Sequence, residues 1–154
     1  MDKEQFKIWL AGFIDGEGYI GTNPAGCIRL FIVNTDKYVL DNIKKFYHGN
    51  VYKRKNLNKR WKVRYSFEVS SNYAKIIFDD ILPFSIIKRK QIELALEVQY
   101  LNEKLNLANR LNNLKHKRSG KGRFLPNDSD LKKKKKELVS MLASLTKRGV
   151  SSSK

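Results

Sequence analysis

The stretch Trp9-Leu10-Ala11-Gly12-Phe13-Ile14-Asp15-Gly16-Glu17-Gly18 decides how this chain is read. Phe6, Trp9, Leu10, Phe13 and Ile14 recur at the steps of one helical face, which predicts an amphipathic helix from about Gln5 to Gly16. Gly12 and Gly16 stand four residues apart, on one side of that helix. An interior glycine costs about 1 kcal/mol of helix stability relative to alanine. Two of them imply a close approach to the backbone, as by another helix packing through its own glycines. Asp15 and Glu17 fall where the helix ends. A helix C-terminus carries partial negative charge and unpaired carbonyls, so cations belong there. Two carboxylates become sensible if a hard cation sits among carboxylate and carbonyl oxygens. Magnesium prefers such ligands and takes one or two carboxylates, with water and phosphate completing its shell. The plain alternative is a helix that stops at Gly18 with two solvated acids.

Charge is the second strong signal. The chain has 154 residues, enough for one ordinary core. Its 32 Lys and Arg against 15 Asp and Glu give a net charge of +17. Such an excess repels itself and makes sense beside a polyanion. Nucleic acid is the first candidate and an anionic membrane surface the second. No apolar run is long enough to span a bilayer, and no basic helix has a wide apolar face, so no membrane partner is expected. The start, Met1-Asp2-Lys3-Glu4-Gln5, lacks the pattern of a signal peptide, and the protein is expected to work where it is made. Cys27 is the only cysteine, which leaves no intramolecular disulfide and no zinc cluster. His48 and His116 have no metal-spaced partner.

Beyond the first helix, Tyr19–Thr22 and Cys27–Val33 read as a short hairpin around the turn signal Asn23-Pro24-Ala25-Gly26. Ile28, Leu30 and Ile32 face one side; Arg29, Phe31 and Val33 face the other. Asn34-Thr35-Asp36 resembles a helix cap, and Val39, Leu40, Ile43 and Phe46 give the stripe of a second helix. A second hairpin follows, with strands Val51–Lys55 and Trp61–Ser70. Trp61, Val63, Tyr65, Phe67 and Val69 alternate with Lys62, Arg64, Ser66 and Glu68. The second set is polar and mostly basic. With Arg29, with Lys53, Arg54 and Lys55, and with Lys59 and Arg60 in the connection, it suits a β-ribbon entering the major groove. A third helix begins at Asn72 and stops at Pro83. A long helical pattern then runs from Ile92 towards Leu114. From Lys115 the chain turns basic and glycine-containing, and an irregular stretch is expected. Lys117, Arg118 and Lys121 there are candidates for phosphate contact. A last helix, starting near Pro126-Asn127-Asp128, carries Leu138, Leu142 and Leu145. The division read from this is a core over 1–114 and a basic C-terminal extension over 115–154.

The run Leu10-Ala11-Gly12-Phe13-Ile14-Asp15-Gly16-Glu17-Gly18 resembles the signature of the LAGLIDADG homing endonucleases over nine consecutive positions. The resemblance implies an α+β fold, an αββαββα core with a DNA-binding antiparallel sheet, here followed by C-terminal helices. Only one copy of the signature is present, which in that family implies a homodimer. Its signature helices would pair at the centre, with Gly12, Gly16, Trp9 and Phe13 at the interface. Glu17 would bind the catalytic metal with help from the Gly16 carbonyl, and Asp15 would be structural. Pro83-Phe84-Ser85-Ile86-Ile87-Lys88 resembles the segment that holds the family's active-site lysine, which places it at Lys88 with Lys90 as a basic neighbour. The family often has a glutamine after the second strand; here the nearest amide is Asn34.

The activity implied is magnesium-dependent cleavage of double-stranded DNA at a long, partly palindromic site, with calcium able to replace magnesium without turnover. A mobile group I intron, in an organelle or a microbial genome, is the implied setting. The alternative is a maturase that binds intron RNA, or another non-catalytic nucleic-acid-binding protein on the same fold.

Overall fold

The structure, a computed structural model, describes residues 2–55, 62–119 and 128–146, those of 112–119 and 128 as backbone only. The element order is α1 (Lys3–Glu17), β1 (Gly18–Thr22), β2 (Ile28–Asn34), α2 (Lys37–Phe46), β3 (Asn50–Arg54), β4 (Arg64–Ser70), α3 (Ser71–Ile81), α4 (Arg89–Ser119) and α5 (Asp128–Thr146). Two antiparallel hairpins join through β2 and β4 into one sheet of order β1-β2-β4-β3. This is an α+β fold with the helices gathered on one sheet face.

α1 begins earlier than its apolar stripe. Asp2 caps it by accepting from the Gln5 amide at 2.8 Å, and the Gln5 side chain accepts from the Asp2 amide at 3.3 Å. This capping box extends the helix two residues upstream of Gln5. The helix also runs one residue past Gly16, to Glu17. Asp36 caps α2 by accepting from the Tyr38 amide.

The core forms between the inner sheet face and α1 to α4. Ile20, Ile28, Leu30, Ile32, Phe67 and Val69 come from the strands, and Phe6, Leu10, Ala11 and Ile14 from α1. Leu40, Ile43, Ala74, Ile77, Phe78 and Ile81 close it from α2 and α3, and Ile92, Ala95 and Val98 from α4. Beside this core, Tyr47 donates to the Asp80 carboxylate at 2.8 Å, and Lys7 pairs with the same group at 2.9 Å. Burial first, and then the Asp80 carboxylate, push the Tyr47 phenol well above its usual pKa. Burial acts to raise Asp80 as well, but the Lys7 and Tyr47 donors outweigh it and hold the carboxyl low.

Three expectations change. The stretch Lys115–Ser119 is not irregular; α4 continues through it, so the boundary read at 114 falls inside a helix. α5 packs against α4 and β1, with Leu138 and Leu142 buried in the same core cluster as the sheet residues. β4 starts at Arg64, and Val63 before it is exposed, outside the strand's alternation. Trp61, the 56–60 connection with Lys59 and Arg60, Lys121, Pro126 and the tail from Lys147 lie outside the described residues, as do the side chains of Lys117 and Arg118.

Candidate active site

α1 ends against the segment between α3 and α4. Asp15, only 8% exposed, points its carboxylate into that segment. Its Oδ1 accepts from the Ser85 hydroxyl at 2.6 Å and from the Lys88 amide at 3.0 Å. Its Oδ2 accepts from the Ile86 and Ile87 amides at 2.8 and 3.0 Å. Three successive backbone N–H groups thus form a concavity for one carboxylate. Burial works to raise the Asp15 pKa, yet the hydroxyl and the three amides together outweigh it and hold the group below the ordinary carboxylate range.

The same segment supplies the cation that a helix C-terminus wants. The Lys88 ammonium donates to the Ile14 carbonyl at 3.0 Å and to the Asp15 carbonyl. It meets two carbonyls of the last turn and the negative end of the helix dipole. The two-acid puzzle therefore divides. Asp15 is satisfied by backbone donors and Lys88 by backbone acceptors. Glu17 is exposed and has no hydrogen-bond or ionic partner among the described residues.

Glu17 and Lys88 share a cleft of about 640 Å³, whose walls include Tyr19, Arg29, Val33 and Gln91. Asn34 is set differently. Its Oδ1 accepts from the Asp36 amide at 2.8 Å, in the turn into α2, and the residues of that strand lining the cleft are Arg29, Phe31 and Val33. The amide in the cleft is Gln91, three residues beyond Lys88, whose Nε2 donates to the Leu145 carbonyl at 3.1 Å near the end of α5. The lysine–glutamine spacing, one helical turn, was the available signal for it.

The cleft opens beside the outward sheet face. Register puts Tyr19, Phe31, Glu68 and Asn50 in one row across that face, Val33, Ser66 and Tyr52 in the next, and Arg64 with Arg54 beyond. Arg29 lies on the same face, opposite Ser70. Lys53 does not, because it pairs with Tyr65 and so belongs to the core side of an edge strand, where it is exposed. Lys55 and Lys62 flank the strands in exposed positions, and Lys90 is exposed near the start of α4. Ser66, read as a surface position, is fully buried beneath Arg54, whose Nε donates to its hydroxyl at 2.8 Å.

On α1, the side away from the core carries Gly12 and Gly16. A Cβ built on either meets nothing within 4 Å among the described residues. Trp9 is 37% exposed and Phe13 half-buried, their rings stacked at 5.1 Å. The sequence stripe did not single out Ile8, Ile86 and Ile87, which are also exposed, the last two at 86% and 76%. Among the described residues no group of three or more His, Cys, Asp or Glu is placed to hold a metal, and no helix is long and apolar enough to cross a membrane.

The architecture is similar to that of solved homing endonucleases. The homing endonuclease I-CvuI, in complex with its target in the presence of calcium, is 20% identical, with a TM-score of 0.65 over 96% of this chain and 85% of that one. The archaeal intron-encoded homing endonuclease I-Vdi141I, complexed with DNA, is 16% identical, with a TM-score of 0.55 over 94% of this chain and 98% of that one. The LAGLIDADG meganuclease I-AabMI, bound to uncleaved DNA, is 19% identical at a TM-score of 0.57; 96% of this chain matches 46% of that one. No protein-family model matches the sequence, and no curated protein does. The chain has the LAGLIDADG homing endonuclease fold, with the signature residues Leu10–Gly18 at the passage from its first helix into its first strand.

Proposed function

We propose that the protein is a site-specific endonuclease that cuts both strands of DNA as a magnesium-dependent homodimer. The observation that carries this reading is Glu17: an exposed carboxylate without a partner among the described residues, sharing a cleft with Lys88 beside an arginine-bearing sheet face. A fold alone would not license an activity. The donor set also suits the metal. One carboxylate, with the Gly16 carbonyl on the exposed side of the helix end, matches a cation that keeps most of its water and takes phosphate oxygens. Bound there, magnesium would lower the pKa of an attacking water and offset charge on the phosphate. The chain's own part is positional. Asp15 fixes the helix end, Lys88 places positive charge beside Glu17 where charge builds on the phosphate, and the sheet holds the duplex. Asn34 has only its amide donor to offer, since its oxygen accepts from the Asp36 amide.

Support for a second copy lies on α1. Among the described residues, Gly12 and Gly16 have no neighbour that requires glycine. Trp9 and the isoleucines at 8, 86 and 87 leave apolar surface uncovered around them. Two copies packed along this face bring two Glu17 side chains together, one for each strand. Opposite signs are expected from two substitutions. Gly12→Ala should stabilise the isolated chain by about 0.5–1 kcal/mol. Gly12→Leu should weaken dimerisation by about tenfold or more. Sedimentation equilibrium with thermal melting separates the two; an undiminished dimer carrying leucine would refute this packing.

A site of this size contacts many phosphates, so affinity should fall steeply with added salt. We place the reading frame in a mobile group I intron of an organelle or microbial genome. The deciding experiment incubates the protein with DNA spanning the intron insertion point, with and without magnesium. Double-strand cleavage only with the metal supports the reading. Failure to cut, with tight binding of the intron RNA, would favour a maturase.

A further inference from the structure

The outward sheet face distributes its charge unevenly. Two guanidinium groups flank the Phe31 ring, Arg54 at 4.9 Å and Arg29 at 5.5 Å from its centroid. Arg54 is engaged. Its Nε donates to the Ser66 hydroxyl and its Nη2 to Glu68 Oε1, and Ser66 donates to the same carboxylate oxygen at 3.2 Å. Arg29 lies 5.8 Å from the Tyr19 ring centroid, its Nε is buried without an acceptor, and no carboxylate meets it among the described residues. Around Phe31, then, stand one neutralised arginine and one uncompensated arginine, a single aromatic ring apart.

Glu68 is the only carboxylate among the described strand residues. An acid on a face that attracts phosphate weakens that attraction, so its presence calls for a separate reason. Phe31 pairs with Glu68 and Arg29 with Ser70. Arg29 and Glu68 thus occupy diagonal positions on one face, roughly 7 Å apart by strand geometry. Both line a cavity of about 510 Å³ that also takes in Asn50 and Tyr52. Glu68 Oε2 has no hydrogen bond among the described residues.

A guanine–cytosine pair shows the major groove two acceptors on the purine, N7 and O6, and then one donor on the pyrimidine, N4. A guanidinium beside a carboxylate is the complement of that order. A cytosine–guanine pair reverses it. An adenine–thymine pair puts a donor amino group where the guanidinium expects an acceptor, and a thymine–adenine pair offers a methyl group and O4 to one side. We infer that Arg29 and Glu68 together read one guanine–cytosine pair in each half-site, with guanine towards Arg29. Arg54 is the positioning residue, because it holds the carboxylate that would otherwise turn to Arg29 and cancel both readers. The inference rests on the site-specific DNA reading proposed above and names part of its specificity.

The test selects bound duplexes from a randomised library with the full-length protein in calcium buffer and sequences them. Wild type should require guanine–cytosine at one position in each half-site. Glu68→Gln should reduce that preference by about tenfold or more and leave other positions unchanged. Arg29→Lys, which loses the two-pronged donor, and Arg54→Gln should flatten the same position. Thermal melting checks that each variant is folded, and three substitutions converging on one position do not depend on any single one of them. Uniform loss of affinity across all positions, or flattening at three different positions, would overturn the inference. If wild type enriches no sequence at all, the endonuclease reading falls with it; if wild type enriches a site that folded variants read unchanged, only this inference falls.

Discussion

Replacing Glu17 with glutamine should slow DNA cleavage by about a thousandfold or more, while fold and sequence-specific binding stay largely intact. The expected separation comes from the surroundings of the side chain. Glu17 is exposed and makes no hydrogen bond or ion pair among the described residues, so its charge supports no other group. Exposed substitutions of this kind stay within about 0.5 kcal/mol of stability. Removing a negative charge from a helix C-terminus is even slightly favourable. Single-turnover cleavage in magnesium, gel-shift titration in calcium and a thermal melt would measure the three quantities. If the variant loses binding and cleavage together, Glu17 is structural and the candidate site is misplaced.

Asp15→Ala should do the opposite, destabilising the fold by about 3–5 kcal/mol. One buried carboxylate accepts one hydroxyl and three amide donors, and the substitution leaves all four without it. Asparagine is no simple rescue, because in either orientation its amino group would face at least one amide donor. Acidity provides a second measurement. A carboxyl held below its unfolded value contributes its full stabilisation above the unfolded pKa of about 4, and that contribution is lost as pH falls through the folded value. The gap between wild type and Asp15→Asn should therefore be widest near neutral pH and shrink in acid. Asp80 is also held low, so both chains lose stability there, and only the difference between them reports on Asp15. Urea unfolding at neutral and acidic pH checks this; a gap that widens in acid would contradict the assigned role.

Much of this architecture was legible in the residues. Period-two alternation gave the faces of β2 correctly, since Ile28, Leu30 and Ile32 are buried while Arg29, Phe31 and Val33 lie outward. The nine-residue signature located the turn of chain that carries the acids. Other features were not legible, for physical reasons. The partner of Asp15 is a run of backbone amides, which leaves no side-chain trace beyond Ser85. Lys53 and Arg54 look alike in sequence, yet one residue of register sends them to opposite faces. The basic composition after Lys115 suggested irregular chain, whereas lysine and arginine are good helix formers and α4 carries on through them. Trp9 shared the apolar stripe of α1 but is partly exposed, because periodicity marks an apolar face without saying what covers it.

The bonds from Asp15 reach residues 70 to 73 positions along the chain. Closing so long a loop carries an entropic cost that these bonds must offset. A nascent or truncated chain that stops before Pro83 would carry Glu17 but neither Lys88 nor the amides that fix the helix end. On the function proposed above, such a fragment would hold the acid without the groups that position it, and cleavage would require the chain to extend through the start of α4.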